Sequence, residues 1–281
     1  MLLKPGAEAH SYEPSPKDIQ AIGKSDLFVY TGGDSDEWVD GMLSSIDKSK
    51  LKTLKTMDTV KLYEEEMSEG MQEEEHEHHH DDKDSHDKEH HHDDKEHHHH
   101  DGEEGPEMDE HVWTSPANAI QIVKALTETI SGLDKDNAQT YQKNAEAYIA
   151  KLEKLDKDFH DVIDHAKRKE IIVGDRFPFL YFAKEFGLTY YAAFPGCSTD
   201  TEANPATIAF LVDKVKEDHI PVVFHIEMSN EQMSKAIAEA TGAKNELLNA
   251  VHNVSDEEFK KGVTYIDLMN HNVKVLKEAL N

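Results

Sequence analysis

The chain has 281 residues, with 58 acidic against 30 basic side chains and a formal net charge of −28. That length suits one large domain or two lobes, and the negative charge makes nucleic acid a poor partner because phosphates would be repelled. The single cysteine, Cys197, excludes an internal disulfide and a CxxC zinc knuckle, and no apolar run reaches the about 18 residues of a membrane-spanning helix.

The first ten residues, MLLKPGAEAH, carry neither a signal peptide nor a lipidation site. "LLKPG" reads as the end of a strand entering a turn, so the first elements of the domain are expected to be absent from this chain. "PSPKDIQAIGKS" opens with prolines at a helix start and places Ile19 and Ile22 on one face. "DLFVYTGG" is a short apolar run ending in glycines, as a buried parallel strand would. "DEWVDGMLSSI" predicts a second helix and "LKTLKTMDTV" a second strand, a βαβ rhythm that implies a parallel sheet.

Residues 64–110 hold 22 acidic side chains against 3 lysines, a net charge of −19, which leaves −9 for all other residues. Inside this segment, EEEHEHHHDDKDSHDKEHHHDDKEHHHHD (residues 73–101) holds twelve of the twenty histidines. It has no apolar periodicity and is expected to be disordered, or ordered only when loaded with metal. Order is expected again at "HVWTSPANAIQIVKAL", where Ser115 caps a helix with Pro116 at its first position. After "SGLDKDN", Tyr141, Ala145, Tyr148, Leu152, Leu155, Phe159 and Val162 recur at helical spacing to about Arg168. A helix of ~30 residues would be ~45 Å long and would suit a bridge between two lobes.

From Glu170 a second series begins. "EIIVGD", "LTYYAAF", "IPVVFHIE" and "NELLNAV" read as strands. "FPFLYFAKEFG", "NPATIAFLVDKVKEDH", "NEQMSKAIAEATG" and "TYIDLMNHNVKVLKEAL" read as helices. The expected fold is α/β: two lobes with parallel sheets linked by one long helix. The expected boundaries are 1–63 and 111–133 for the first lobe, 64–110 for the acidic loop, 134–169 for the linking helix and 170–281 for the second lobe.

Four histidines stand in loops at strand or helix ends, where α/β lobes carry chemistry: His10, His111, His225 and His252. Two lie in each half, as a divalent cation held between lobes would require. Neutral imidazole suits Zn²⁺ best. His160, His165, His219 and His271 lie on amphipathic helices among charged residues and are expected to be solvated. HExxH, GxSxG and P-loop patterns are all missing, so nothing points to an enzyme. Cys197 in "FPGCSTD" is expected to be a structural thiol.

"PGAEAHSYEPSPKDIQAIGKSDLFVYTGGDSDEWVD" and "DEHVWTSPANAIQIV", with the His- and acid-rich insertion ahead of the second, resemble the solute-binding proteins of zinc and manganese ABC importers, the cluster A-I family. The resemblance covers almost the whole chain. It implies two lobes joined by a long helix, with the metal in the cleft, His10 as first ligand and His111 as second. It places the third ligand, usually a histidine, at Asp175 and the fourth, usually an acid, at His252. His225 and Glu227, two apart on one expected strand face, are candidates for the resulting gap. The expected ligands are therefore His10, His111 and His252, completed by Asp175 or His225.

The resemblance further implies an extracytoplasmic, monomeric protein that delivers Zn²⁺ to an ABC permease, with Mn²⁺ a possible cargo. Two alternatives are a metal buffer working chiefly through the His-rich stretch and a metal-binding surface adhesin. The His-rich stretch itself reads as a flexible antenna for zinc, not as the defined site.

Overall fold

The computed structural model describes residues 2–8, 10–71, 107–198 and 204–281. The His-rich stretch, and the expectation that it is disordered, lie outside them.

The first lobe begins with α1 (Pro16–Ile22), started by Ser15, whose hydroxyl accepts the Asp18 N–H while the Asp18 carboxylate accepts the Ser15 N–H. Strand β1 (Leu27–Tyr30), α2 (Trp38–Ser45) and β2 (Lys52–Lys55) follow, and the two strands pair in parallel. Ile22, Phe28, Val39 and Met42 form the buried core between them. Helix α3 (Pro116–Leu133) is capped by Ser115, which accepts the Asn118 N–H, with Pro116 at its first position.

The long helix α4 (Ala138–Ile163) has 26 residues, about 39 Å at 1.5 Å per residue. It is shorter than the expected 134–169 because Asp134 ends α3 and caps a 3-10 turn over Lys135–Asn137 first. Nor is it a free bridge. Its last two turns bury Leu155, Phe159 and Ile163 in the core of the second lobe.

The second lobe is built from β3 (Glu170–Phe177), α5 (Leu180–Phe186), β4 (Thr189–Pro195), α6 (Pro205–Glu217), β5 (Val222–His225), α7 (Gln232–Thr241), β6 (Lys244–Leu247), α8 (Asp256–Lys261) and α9 (Tyr265–Ala279). Its four strands are parallel in the order β4-β3-β5-β6. Helices cover both faces, as a parallel sheet requires. Ile171 and Val173 face α4, α5 and α9, while Ile172 and Val223 face α6 and α7. Gly187 and Gly242 end α5 and α7 in the left-handed conformation that glycine adopts without strain.

Two features depart from the expected order. Helix α8 was not anticipated. A capping box between Ser255 and Glu258 starts it and Gly262 ends it. The acidic segment is also narrower than 64–110, because its ends are tied together: the Glu65 N–H donates to the Glu107 carbonyl at 2.8 Å and the Asp109 N–H to the Tyr63 carbonyl at 3.0 Å. That pairing delivers the chain directly to His111.

Candidate metal centre

Three of the expected ligands meet. His10 Nε2 lies 3.4 Å from His111 Nε2 and 3.4 Å from His252 Nε2, and the His111 and His252 rings are edge to face at 4.9 Å. One imidazole nitrogen from each lies within 4.8 Å of the other two. A tetrahedral cation with metal–nitrogen bonds of about 2.0–2.1 Å requires its ligand atoms to stand about 3.3–3.4 Å apart. The two pairs that share His10, both at 3.4 Å, match that spacing.

Each imidazole is turned by a carboxylate behind it. His10 Nδ1 lies 3.0 Å from Glu110 Oε1 and 2.9 Å from Ser35 Oγ. The Ser35 hydroxyl and backbone N–H both donate to the Glu110 carboxylate, and Ser35 sits in the 3-10 turn after β1. His111 Nδ1 lies 3.2 Å from Asp109 Oδ1, which also accepts the His111 backbone N–H at 2.8 Å. His252 Nδ1 lies 3.2 Å from Glu227 Oε1. An acceptor at each Nδ1 fixes the proton there, so each Nε2 presents a lone pair inward. Three lone pairs facing one another form a cation-shaped site, not a set of hydrogen bonds.

The scaffold behind each residue is local. His111 has no exposed surface, and its carbonyl accepts the Thr114 N–H and hydroxyl in the turn that precedes α3. The Tyr181 hydroxyl donates to the Asp109 carbonyl at 2.7 Å, and Trp113 Nε1 donates to the Ala250 carbonyl at 2.8 Å, joining the two lobes beside the site. Glu227 clamps the loop after β6: Oε2 accepts the Ala250 N–H and Oε1 the His252 N–H, each at 2.7 Å. Val251, between them, is held at φ 61°, a strained conformation for a β-branched residue. The clamp and the strain together aim His252 at its two partners.

Electrostatics keep the imidazoles ready for a metal. Burial, then the neighbouring His252 and His10, hold the His111 pKa well below its ordinary 6.5. Burial alone would raise Glu227 and Glu110. Hydrogen bonds outweigh it, from His252 and the Ala250 and His252 N–H groups to Glu227 and from His10 and Ser35 to Glu110, and both carboxyls end below 4.5. Asp109 is the exception, pushed up to about 7 mainly by burial, with the His111 N–H opposing.

Asp175 and His225 do not join the cluster. Strand β3 bulges between Val173 and Arg176, where Ser234 of α7 packs against Gly174 so closely that a Cβ there would stand 2.6 Å from its Cα. Asp175 lies in this bulge, is buried, and among the described residues accepts the Arg176 N–H at 2.9 Å. His225 is the last residue of β5 and turns to Asn245, Nδ1 to Oδ1 at 3.1 Å. The strand stops there, so the expected shared face with Glu227 does not exist. Glu227 instead reaches the site by backing His252.

His160, His165 and His219 are exposed, whereas His271 is half-buried with Nδ1 3.2 Å from Asn249 Nδ2. Cys197 is half-buried, its N–H donating to Glu65 Oε1 at 2.8 Å, and it lies beside His111 and Glu110. Asp109 and Glu110 were not anticipated from the sequence. The signal was their position, two acids directly ahead of a histidine at a helix start.

Comparison with known proteins identifies the family of the chain. Residues 1–279 match the family model described as zinc-uptake complex component A, periplasmic. The chain is 35% identical over 280 residues to the high-affinity zinc uptake system protein ZnuA of Bacillus subtilis, covering 100% of this chain and 80% of that protein. It is 33% identical over 282 residues to the zinc-binding lipoprotein AdcA of Streptococcus pneumoniae, covering 99% of this chain. The chain spans about half the length of AdcA, 50%. The crystal structure of the Zn(II)-bound ZnuA-like domain of that AdcA superposes with a TM-score of 0.74 at 30% identity, over 99% of this chain and 89% of that one. The metal-dependent lipoprotein YcdH of Bacillus subtilis gives 0.75 at 31% identity, over 99% and 90%. By sequence and by fold, the chain belongs to the zinc-uptake complex component A family.

Proposed function

We propose that this chain is the extracytoplasmic zinc-capture component of an ABC importer. It takes Zn²⁺ into the cleft between its lobes through Nε2 of His10, His111 and His252 and hands it to a membrane permease. The observation that carries this reading is the convergence of three Nε2 atoms, two pairs at 3.4 Å, each ring backed by its own carboxylate. His10 and His111 come from the first lobe and His252 from the second, which supports the division of the chain at α4. Three imidazoles favour Zn²⁺ over Mn²⁺, which prefers oxygen donors.

The role is binding and transfer, not catalysis. Asp109, Glu110 and Glu227, the carboxylates behind the three imidazoles, are each engaged by an imidazole and a backbone N–H and are not available as general base on a metal-bound water. The protein acts as a monomer, with the permease as its partner.

A zinc titration against a competing chelator tests this reading, using the full chain, a chain lacking residues 73–101, and His10→Ala/His111→Ala. The expected result is one tight site per chain that survives removal of the His-rich stretch and disappears in the double variant. Loss of all tight binding on removing residues 73–101 would instead make the protein a buffer.

A further inference from the structure

Three imidazoles offer three ligands where a tetrahedral centre takes four, and among the described residues neither Asp175 nor His225 joins their set. This inference rests on the zinc reading above and asks what completes the site. Asp109, Glu110 and Glu227 each already accept an imidazole Nδ1 and backbone N–H groups. Moving any of them would release the histidine it orients. Cys197 shares its neighbourhood with His111 and Glu110, not with the three-histidine set.

Glu8 differs from all of these. It lies two residues before His10 on the same loop, and its side chain keeps 42% of its exposure. Among the described residues its contacts are long: Oε1 accepts the His10 N–H at 3.4 Å and Oε2 faces Arg176 Nη2 at 3.5 Å. Arg176 stands at the end of β3 in the second lobe, with only 16% of its side chain exposed. Its guanidinium also reaches the Ser198 carbonyl, Nη1 to O at 3.4 Å. The pair therefore spans the two lobes at the rim of the cluster.

We propose that Glu8 is the exchangeable fourth ligand of the metal centre, resting on Arg176 while the site is empty and turning onto the cation when it arrives. Three neutral imidazoles leave Zn²⁺ with its full charge in a half-buried site, and one carboxylate reduces that to +1. Arg176 competes with the cation for Glu8. Once Glu8 has moved, the guanidinium is left facing a like charge, which weakens the hold on the metal and favours its release. Glu8 binds the cargo, whereas Arg176 positions Glu8.

The test uses the full chain, Zn²⁺ affinity by chelator competition, and Co²⁺ as a visible-absorption probe of the same site. Glu8→Gln is expected to weaken the tight Zn²⁺ site at least ~10-fold while unfolding in urea like the parent. Arg176→Gln is expected to tighten the parent protein but not the Glu8→Gln variant, a non-additive pair. A metal-bound water ionises at about pH 7 in sites of this kind, and a carboxylate ligand does not. The Co²⁺ spectrum of the parent is therefore expected to be constant from about pH 6.5 to 8.5, and that of Glu8→Gln to change through about pH 7.

A pH-dependent spectrum shared by parent and variant would assign the fourth position to water and overturn the proposal. So would a sulfur-to-cobalt charge-transfer band lost in Cys197→Ser, or equal effects of Arg176→Gln in both backgrounds. Absence of any tight site in the parent would instead remove the three-histidine reading itself, so the two failures are distinct.

Discussion

Replacing Glu227 with glutamine tests whether the clamp behind His252 shapes the centre. The substitution keeps size and shape and removes one acceptor. In the parent, one carboxylate accepts the Ala250 N–H and the His252 N–H, each at 2.7 Å, and faces His252 Nδ1 at 3.2 Å. A glutamine carbonyl can keep one backbone N–H, but its NH₂ group faces the other donor to donor. Losing one charge-assisted bond and leaving a buried N–H unpaired costs about 2–4 kcal/mol. Val251, at φ 61°, is held only while both flanking N–H groups are bound, so its strain adds to the drive for the loop to relax. His252 then loses its tautomer and its aim, and zinc affinity falls about 10- to 100-fold. The pH dependence carries a second signature. The folded pKa of Glu227 is depressed below 4.5, so its contribution is complete above pH 4.5 and is lost as pH falls through the folded value. The assays are urea unfolding of the zinc-free protein between about pH 3 and 7, and zinc titration at pH 7. A Glu227→Gln variant with parental stability and affinity, and with the acid slope intact, would refute the clamp.

Three further outcomes are expected. His111 is buried with its pKa held below 6.5, so below pH 6.5 the unfolded chain binds a proton that the fold refuses. Zinc-free stability therefore falls with falling pH by up to about 1.4 kcal/mol per unit, and His111→Gln flattens that slope in urea unfolding. Glu185 behaves oppositely. Burial, then Asp156 against the opposing Ser115 hydroxyl, raise it from 4.5 to about 7. Stability is lost as pH rises between those values, by at most roughly 3 kcal/mol, and Glu185→Gln is more stable than the parent at pH 8 but not at pH 4. Parallel parent and variant curves would show that Glu185 titrates normally. Finally, a Cβ on Gly196 would stand 2.9 Å from the Phe177 carbonyl, 3.1 Å from Asp109 Oδ2 and 3.2 Å from His111 Cε1. The carbonyl cannot yield, so Gly196→Ala costs about 1–3 kcal/mol and displaces His111. Calorimetric titration is expected to show weaker zinc binding with unchanged stoichiometry.

What could be read from residues alone follows the range of the forces involved. Ser15 with Asp18 and Ser115 with Pro116 start their helices through contacts within one turn, and both starts are visible in sequence. The buried run of β3 and the glycine stops at Gly187 and Gly242 are equally local. The Ser255–Glu258 box of α8 is local too, but its six residues give no periodicity to mark a helix. His10, His111 and His252 stood out by their place at strand and helix ends. Their convergence, however, is a contact across more than a hundred residues, and only the family resemblance pointed to it. Asp175 stands apart from the three imidazoles at a bulge between Val173 and Arg176, beside the close packing of Ser234 on Gly174, and no periodic pattern reports such a bulge. His225 stands apart because β5 ends at it, two residues short of Glu227, so strand alternation does not reach that residue. Asp109 and Glu110 looked like the tail of a solvated acidic run, yet they are 1% and 3% exposed. Their burial depends on Tyr181 and on the 65–107 pairing, neither of which composition can report.

That placement of acids explains how so acidic a chain can favour a nitrogen-loving ion. Carboxylates bound directly to a metal favour hard cations such as Mg²⁺, Ca²⁺ and Mn²⁺. Here Asp109, Glu110 and Glu227 stand one imidazole further back, each on an Nδ1. Their negative field still reaches the cavity and raises the basicity of each Nε2. Three of the atoms the site offers to an ion are nitrogens, so the field attracts any divalent cation while the lone pairs favour zinc. The histidines thus act as spacers between charge and ligand. Exchanging a spacer for a carboxylate, as in His252→Glu, would put the charge in contact with the metal and shift preference toward Mn²⁺. The Zn²⁺/Mn²⁺ affinity ratio of that variant measures the selectivity that the spacing provides, and an unchanged ratio would place selectivity elsewhere in the cleft.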